Sequence, residues 1–219
     1  MSMAIPRVPD ALRAAARSAV GCLMLAAGAA ASAAEAASAQ ALWSVNPTSS
    51  QARFELRALG LMVIEGHIDS VEGEVWRDAR GTWVQVRVAL STLRMSSERR
   101  QRWALSKEFF DAAAHPSLTF TAAVPAEARM DRLGGALQGT LNLRGVEAPL
   151  RVALLGPECD EAQRACRLRA HAEVSRRRFG MMTKRLTLSD AVSLDLSLDL
   201  RRNPSAPPPD AKSASGGRR

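Results

Sequence analysis

The sequence contains no tyrosine, and aromatic residues make up only 4% of its 219 residues. Proteins that bind single-stranded nucleic acid commonly stack bases on aromatic rings along a basic groove. No such stacking set is present, and no predicted helix carries a stripe of basic side chains. The net charge of +8 favours anionic partners only by general attraction. The composition therefore argues against nucleic acid as a partner.

Residues that carry catalytic or metal chemistry are also scarce. The three histidines are His67, His115 and His171, and none shares a short motif with a nucleophile or a second metal ligand. The chain has no Gly-rich phosphate loop, no nucleophile elbow and no metal-ligand spacing. His115 stands before Pro116 and is expected to mark a helix stop. We therefore expect no enzymatic activity, no cofactor and no metal site.

The longest uncharged apolar run, residues 19–31, is shorter than the roughly 20 residues that span a bilayer. It follows an arginine-containing segment and precedes small-residue cleavage sites, the arrangement of a secretory signal. Residues 1–39 are accordingly predicted to be a signal peptide, cut between Ala33 and Ala39. Cys22 begins the apolar run instead of ending it, which disfavours lipidation. An exported chain without a stable membrane span after cleavage is expected.

Two cysteines, Cys159 and Cys166, remain once the signal is removed. An even pair in an exported chain is expected to be oxidised. The two flank a polar turn between strands, so a disulfide that closes a hairpin is predicted. A zinc site is disfavoured because no third or fourth ligand lies at a useful spacing.

The rest of the chain alternates apolar and polar residues with a period of two, which indicates strands with one wet face. The alternation is clearest from Val84 to Leu90 and from Val192 to Leu200. One helical segment is expected between them, from Ser96 or Ser97 as the N-cap to Phe109 and Phe110, and stopped by Pro116. Short strands with hairpin turns predict an all-β antiparallel barrel or sandwich. About eight strands can enclose a packed core or one ligand, and the pattern does not choose between them.

Three regions follow from these patterns: a signal peptide over 1–39, a β-barrel domain over 40–202, and a Pro-rich basic tail over 203–219. The tail has no apolar periodicity and is predicted to be disordered.

Three stretches resemble the YceI-like polyisoprenoid-binding family. They are Ser106 to Asp111 with His115 to Phe120, then Leu141 to Pro149, then Arg176 to Met181. The resemblance extends from about Leu42 to Leu200. It implies a single eight-stranded antiparallel, lipocalin-like barrel with one short helix, located in the periplasm, with an apolar tunnel for an isoprenoid chain. A quinone side chain or a polyprenyl phosphate would be such a ligand.

The residues expected to bind this lipid are mostly apolar and alternate along the strands, with the two phenylalanines of the helical segment and two residues of the Arg-rich turn added. They are Phe54, Leu56, Val84, Val86, Val88, Phe109, Phe110, Leu118, Phe120, Leu141, Leu143, Arg176, Phe179, Leu194 and Leu196.

Family members commonly carry a His-Ser pair near the first strand, a second histidine and an acidic residue before the Phe-Gly pair. This chain has Ser49-Ser50, Ala58 and Arg178 at those positions. Residues 176–178 could instead attract an anionic head group, or form an exposed basic turn. A non-catalytic envelope interaction module with a solid core is the alternative function. The oligomeric state is left open, with a homodimer as one option.

Overall fold

The computed structural model describes residues 39–125, 128, 133–184 and 186–206. The predicted signal peptide, apart from its last residue, and the tail beyond residue 206 lie outside the described residues. Eleven strands and one α-helix form this part of the chain. The strands are β1 Gln40–Val45, β2 Gln51–Ala58, β3 Met62–Ile68, β4 Val71–Asp78, β5 Gly81–Ala89, β6 Leu93–Met95, β7 Ser117–Val124, β8 Gly135–Leu143, β9 Val146–Cys159, β10 Ala165–Ser175 and β11 Leu188–Arg202; helix α1 is Glu98–Leu105.

The strands close into an eight-stranded antiparallel barrel, as predicted. Strands β1 and β2 both pair with the same long strand β11, β1 near its end and β2 before it. Strands β3 and β4 pair with β2 and β1 in the same way, and β6 and β5 continue the ladder. Therefore β1 with β2, β3 with β4, and β5 with β6 each form one bent barrel strand. Strands β7 to β11 supply the other five.

The inner face follows the predicted alternation. Along β10, every second residue is buried, from Cys166 to Val174, and the residues between them are exposed. The outward residues form cross-strand contacts, such as the ion pair of Arg167 with Asp199 at 2.8 Å and the hydrogen bond between His171 and Asp195 at 2.7 Å. His171 thus lies on the wet face, where the alternation places it.

The connections at one end of the barrel are the β2–β3 turn, the segment with α1, the β8–β9 turn and the β10–β11 loop. We call this end the mouth. The β9–β10 hairpin lies at the other end, and there Cys159 and Cys166 are direct cross-strand partners joined by a disulfide, with Cα atoms 4.0 Å apart. The predicted disulfide is confirmed.

The helix is shorter than the sequence suggested. Helix α1 ends at Leu105, so Phe109 and Phe110 lie in the turns that follow it and Pro116 does not terminate it. Ser106 is the physical stop: its backbone is extended, and its hydroxyl donates to the Trp103 carbonyl at 2.7 Å. Ser97 is the N-cap residue, but its side chain makes no capping hydrogen bond.

Candidate functional site in the barrel interior

Most residues predicted from the sequence to bind the ligand face the barrel interior. Cross-strand partners share a face of a sheet, and the registers link these residues around the wall: Phe54 opposes Leu194, and Phe120 opposes both Val86 and Leu141. The alternation along the strands adds the remaining wall residues of the set, which are Leu56, Val84, Val88, Leu118, Leu143 and Leu196.

Small residues recur on this inner face and went unrecognised in the sequence. A Cβ added at Gly66 would lie 2.6 Å from the ring of Phe54, and one at Gly139 would lie 2.5 Å from the ring of Phe120. Each ring therefore folds down onto a glycine of the wall instead of projecting across the barrel. Glycines inside strands mark such close approaches. Further inner positions are filled by alanine: Ala52, Ala122, Ala170 and Ala172.

Several inward-facing apolar side chains retain accessible surface. Val84, Phe120, Leu194 and Leu196 are only partly buried, whereas the alanines opposite Val84, Leu194 and Leu196 are almost fully enclosed. An inward side chain of a closed barrel stays accessible only where space lies beside it. The space is bordered by aliphatic and aromatic carbon, a lining suited to an apolar molecule.

The mouth end is covered by the two adjacent phenylalanines. Phe110 is 7% exposed and Phe109 is 2% exposed. The Phe110 ring stands edge-on to Phe54, with centroids 5.8 Å apart, and to Phe109 at 4.9 Å. Trp103 of α1 packs on Phe109 at 5.2 Å. A chain of aromatic contacts thus runs from the helix to the inner wall and caps the interior.

Hydrogen bonds join the segments at the mouth. The guanidinium of Arg144, in the β8–β9 turn, donates to the carbonyls of Phe179 and Lys107. Thr183 donates to the Glu108 carbonyl at 3.4 Å. His115 fills the space beside Gly145, where a Cβ would lie 2.8 Å from its ring. These hydrogen bonds from side chains to backbone carbonyls of neighbouring loops hold the cover in place.

Arg176 is fully buried, contrary to the interpretation of residues 176–178 as an exposed basic turn. Its guanidinium donates to four backbone carbonyls, those of Met181, Thr183, Leu188 and Ser189. Burial lowers the pKa of Arg176, and the negative charge of Asp190 opposes this shift. Arg176 is thus engaged in shaping the β10–β11 loop.

A period of three explains which residues of this turn are buried. Residues 176–179 form a 3₁₀ turn, in which positions i and i+3 share a side. Arg176 and Phe179 are both buried, whereas Arg177 and Arg178 are exposed. The apolar residue three places after Arg176 was the available signal that this arginine lies inside.

The positions where this chain departs from the family pattern belong to three different elements. Ser50 is 1% exposed and accepts a hydrogen bond from the Asp199 amide at 2.9 Å, at the bend between β1 and β2. Ala58 ends β2 at the mouth and pairs with Leu188. Arg178 is exposed. Ser50 is thus bonded to the backbone of β11, whereas Ala58 and Arg178 belong to segments of the mouth.

A groove of about 590 Å³ lies on the outer face of the barrel, over β5, β7 and β8. Its side chains alternate with the inward ones and are mainly neutral and polar: Trp83, Gln85, Thr119, Thr121, Gln138 and Thr140. Ala122 and Gly139 of the inner wall also border it.

Within the part of the chain that the structure describes, no group of three or more His, Cys, Asp or Glu side chains is arranged to hold a metal ion. Over the same residues, no helix has the length and apolar character needed to cross a membrane.

The model of the YceI-like domain family matches residues 43–200 of this chain, which is most of its length. A comparison with curated proteins finds no significant match.

Solved structures share the fold at low sequence identity. A polyisoprenoid-binding domain from Saccharophagus degradans, implicated in plant cell wall breakdown, is 15% identical, with a TM-score of 0.58 over 75% of this chain and all of that one. BcnA from Burkholderia cenocepacia is 16% identical, with a TM-score of 0.56 over 71% of this chain and 98% of that one. The YceI protein of Campylobacter jejuni is 19% identical, with a TM-score of 0.50 over 63% of this chain and 84% of that one.

Proposed function

This chain belongs to the YceI-like domain family, and we propose that it is a periplasmic, non-catalytic protein that sequesters or carries an isoprenoid lipid in the interior of its barrel. The ligand class is a long apolar chain of the quinone or polyprenyl phosphate type. One of the similar structures is a polyisoprenoid-binding domain, which supports this class of ligand.

The observation that carries the proposal is the inner wall itself. The rings of Phe54 and Phe120 lie on Gly66 and Gly139, and the inward leucines Leu194 and Leu196 remain partly accessible. Eight-stranded barrels can hold one small ligand when their side chains do not fill the interior. Here the rings of Phe54 and Phe120 lie against the wall, which supports room for a ligand beside them.

Apolar burial is sufficient to retain an isoprenoid. Each methylene removed from water contributes about 0.8 kcal/mol, so a chain of several isoprene units needs no directional contact. This fits the described inner wall, whose predicted lining residues are mostly apolar, and an Arg176 guanidinium that donates to backbone carbonyls. A head group would then lie near an opening of the barrel.

The periplasmic location is supported by the disulfide between Cys159 and Cys166, because disulfides persist in oxidising compartments. The predicted signal peptide would supply the export route.

The test is to purify the full chain from cells that make isoprenoids, extract it with organic solvent and identify bound lipid by mass spectrometry. We expect a stoichiometric isoprenoid. A matched pair of variants locates it, since Leu194 faces inward and Ser193 faces outward on the same strand. Leu194→Trp should lower the bound lipid at least about tenfold, and Ser193→Trp should not. Folded protein that contains no lipid would favour the solid-core interaction module. Lipid uptake that Leu194→Trp leaves unchanged would also count against a site in the barrel interior.

A further inference from the structure

We propose that the mouth of the barrel docks onto the surface of an anionic phospholipid bilayer. This inference goes beyond lipid binding in the interior, because it assigns a separate outer surface and a separate partner. Three observations support it: a cluster of exposed apolar side chains, a strained turn that displays one of them, and a set of basic side chains around the cluster.

Exposed apolar residues are concentrated at the mouth. Leu61 is 88% exposed and Leu186 is 100% exposed, and both stand on loop tips. We define the mouth patch as the exposed apolar residues of these two tips, which are Leu59, Leu61, Met62, Val63, Met182 and Leu186. Large exposed apolar clusters are uncommon on soluble proteins and mark interaction surfaces.

The two tips form one continuous surface. The Leu59 amide donates to the Thr187 carbonyl at 2.7 Å, which ties the β2–β3 turn to the β10–β11 loop. Leu188 pairs with Ala58 immediately below that bond. The patch therefore stands beside the Phe109–Phe110 cover, which the same loop reaches through the Thr183 bond to Glu108.

Leu59 stands in a backbone conformation that disfavours leucine. Its φ is 50°, and the following Gly60 has a φ of 74°, the two positive values of a type I′ turn. Asparagine or glycine normally fills the first of these positions, whereas a bulky side chain there is an outlier. The turn thus holds an apolar side chain in solvent, 66% exposed, against its local conformational preference. Such strain points to a function for the displayed side chain.

Basic side chains surround the patch. Arg57 is the cross-strand partner of Val63, and the Lys184 ammonium lies 5.3 Å from the Trp103 ring centroid. Arg178 extends from the same loop and Lys107 lies beside the cover, whereas the Arg177 guanidinium pairs with Asp190 at 3.5 Å. Two carboxylates near these cations already accept hydrogen bonds. Asp190 accepts from the Ser175 hydroxyl and the Arg177 amide, and Glu108 accepts from the Trp103 indole.

Apolar tips with flanking lysine and arginine match a leaflet with anionic head groups. The leucines can enter the interface between head groups and acyl chains, and the cations can remain among the phosphates. A purely apolar partner would not use the cations. The patch and its cations therefore fit an anionic bilayer better than a second copy of the chain, and the test below distinguishes the two.

The experiment is flotation of the full chain with vesicles of phosphatidylcholine alone or mixed with phosphatidylglycerol. We expect binding to the mixed vesicles that weakens as salt is raised. Leu61→Ser with Leu186→Ser should lower the partition coefficient at least about tenfold, because two exposed leucines no longer enter the interface. Leu155→Ser is the matched control, since Leu155 is 52% exposed on β9, away from the mouth, and it should leave partition unchanged.

A second variant separates docking from folding. Leu59→Asn places a favoured residue in the type I′ turn, so it should raise the midpoint of urea unfolding and still lower vesicle partition. Equal partition of wild type and both mouth variants would overturn the proposal. It would also be overturned if sedimentation showed a dimer that these substitutions dissociate, with no vesicle binding. The isoprenoid content of the mouth variants, loaded in detergent, should match that of wild type, so this test stands apart from that of the interior site.

Discussion

The ring of Phe110 stands edge-on to the ring of Phe54, with 5.8 Å between centroids and 79° between planes. Phe54 belongs to the inner wall, and Phe110 belongs to the segment that crosses the mouth. This pair therefore couples the cover to the wall, and the Phe54 ring in turn lies directly on Gly66.

Gly66→Ala should displace that pair. The added Cβ would meet the Phe54 ring at 2.6 Å and a Leu93 methyl at 3.2 Å, so we expect a loss of about 1–3 kcal/mol in the free energy of unfolding. Urea denaturation measures it. Gly156→Ala is the matched control, because no atom lies within 4 Å of its added Cβ. Equal stability of the two variants would show that Phe54 is not confined by the glycine.

Arg176→Met should destabilise the β10–β11 loop severely. In wild type the guanidinium donates to backbone carbonyls, and the substitution leaves these carbonyls without a donor. We expect the free energy of unfolding to fall by about 3 kcal/mol or more. Arg176→Lys should recover only part of this, since an ammonium lacks the planar fork. The exposed Arg178→Met provides the control and should change unfolding little. A mild effect of Arg176→Met would mean that water satisfies these carbonyls.

Removal of the disulfide should weaken the hairpin far from the mouth. Cys159→Ala with Cys166→Ala opens a short loop, for which the chain-entropy relation gives about 2–3 kcal/mol. Urea unfolding of the double variant should match that of the reduced wild type. A reducing agent should have no effect on the double variant, and any effect there would point to a cause other than this bond.

Acid should weaken the fold partly through Asp199. The hydrogen bond from Arg167, at 2.8 Å, is the main cause that lowers the pKa of this carboxyl, and burial opposes it. A lowered pKa in the folded state adds stability above the unfolded value of about 3.9, and this stability is lost as the pH falls through the folded value. The gap in unfolding free energy between wild type and Asp199→Asn should therefore be constant near neutrality and shrink below about pH 4. A gap that persists in strong acid would assign the effect to backbone or packing changes.

The alternation of residues such as those from Val192 to Leu200 was enough to predict an antiparallel barrel or sandwich, because a strand with one solvent-exposed face repeats every two residues. The resemblance to the YceI-like family was needed to select the barrel. Strands β1 and β6 gave no such signal, since the first has no regular burial alternation and the second has three residues. The end of α1 was missed because it depends on a serine side-chain bond and not on Pro116. The burial of Arg176 was missed because its partners are backbone carbonyls that only the folded loop brings together.

The inner wall was predicted from the same alternation, whereas space beside it was implied only by the family resemblance. That space depends on where the rings of Phe54 and Phe120 fold, and this in turn depends on Gly66 and Gly139 from neighbouring strands. Cross-strand relationships of this kind become visible only once the register is known.

The most direct test of an isoprenoid inside the barrel is a nuclear Overhauser experiment on protein with ¹³C-labelled Leu and Val methyl groups and an unlabelled isoprenoid quinone. We expect contacts between the isoprenoid methyls and the inward residues Val84, Val86, Leu194 and Leu196, and none to Leu155 on the outer face. Contacts confined to the outer or mouth residues, or no contacts with the quinone present in excess, would contradict an interior lipid site.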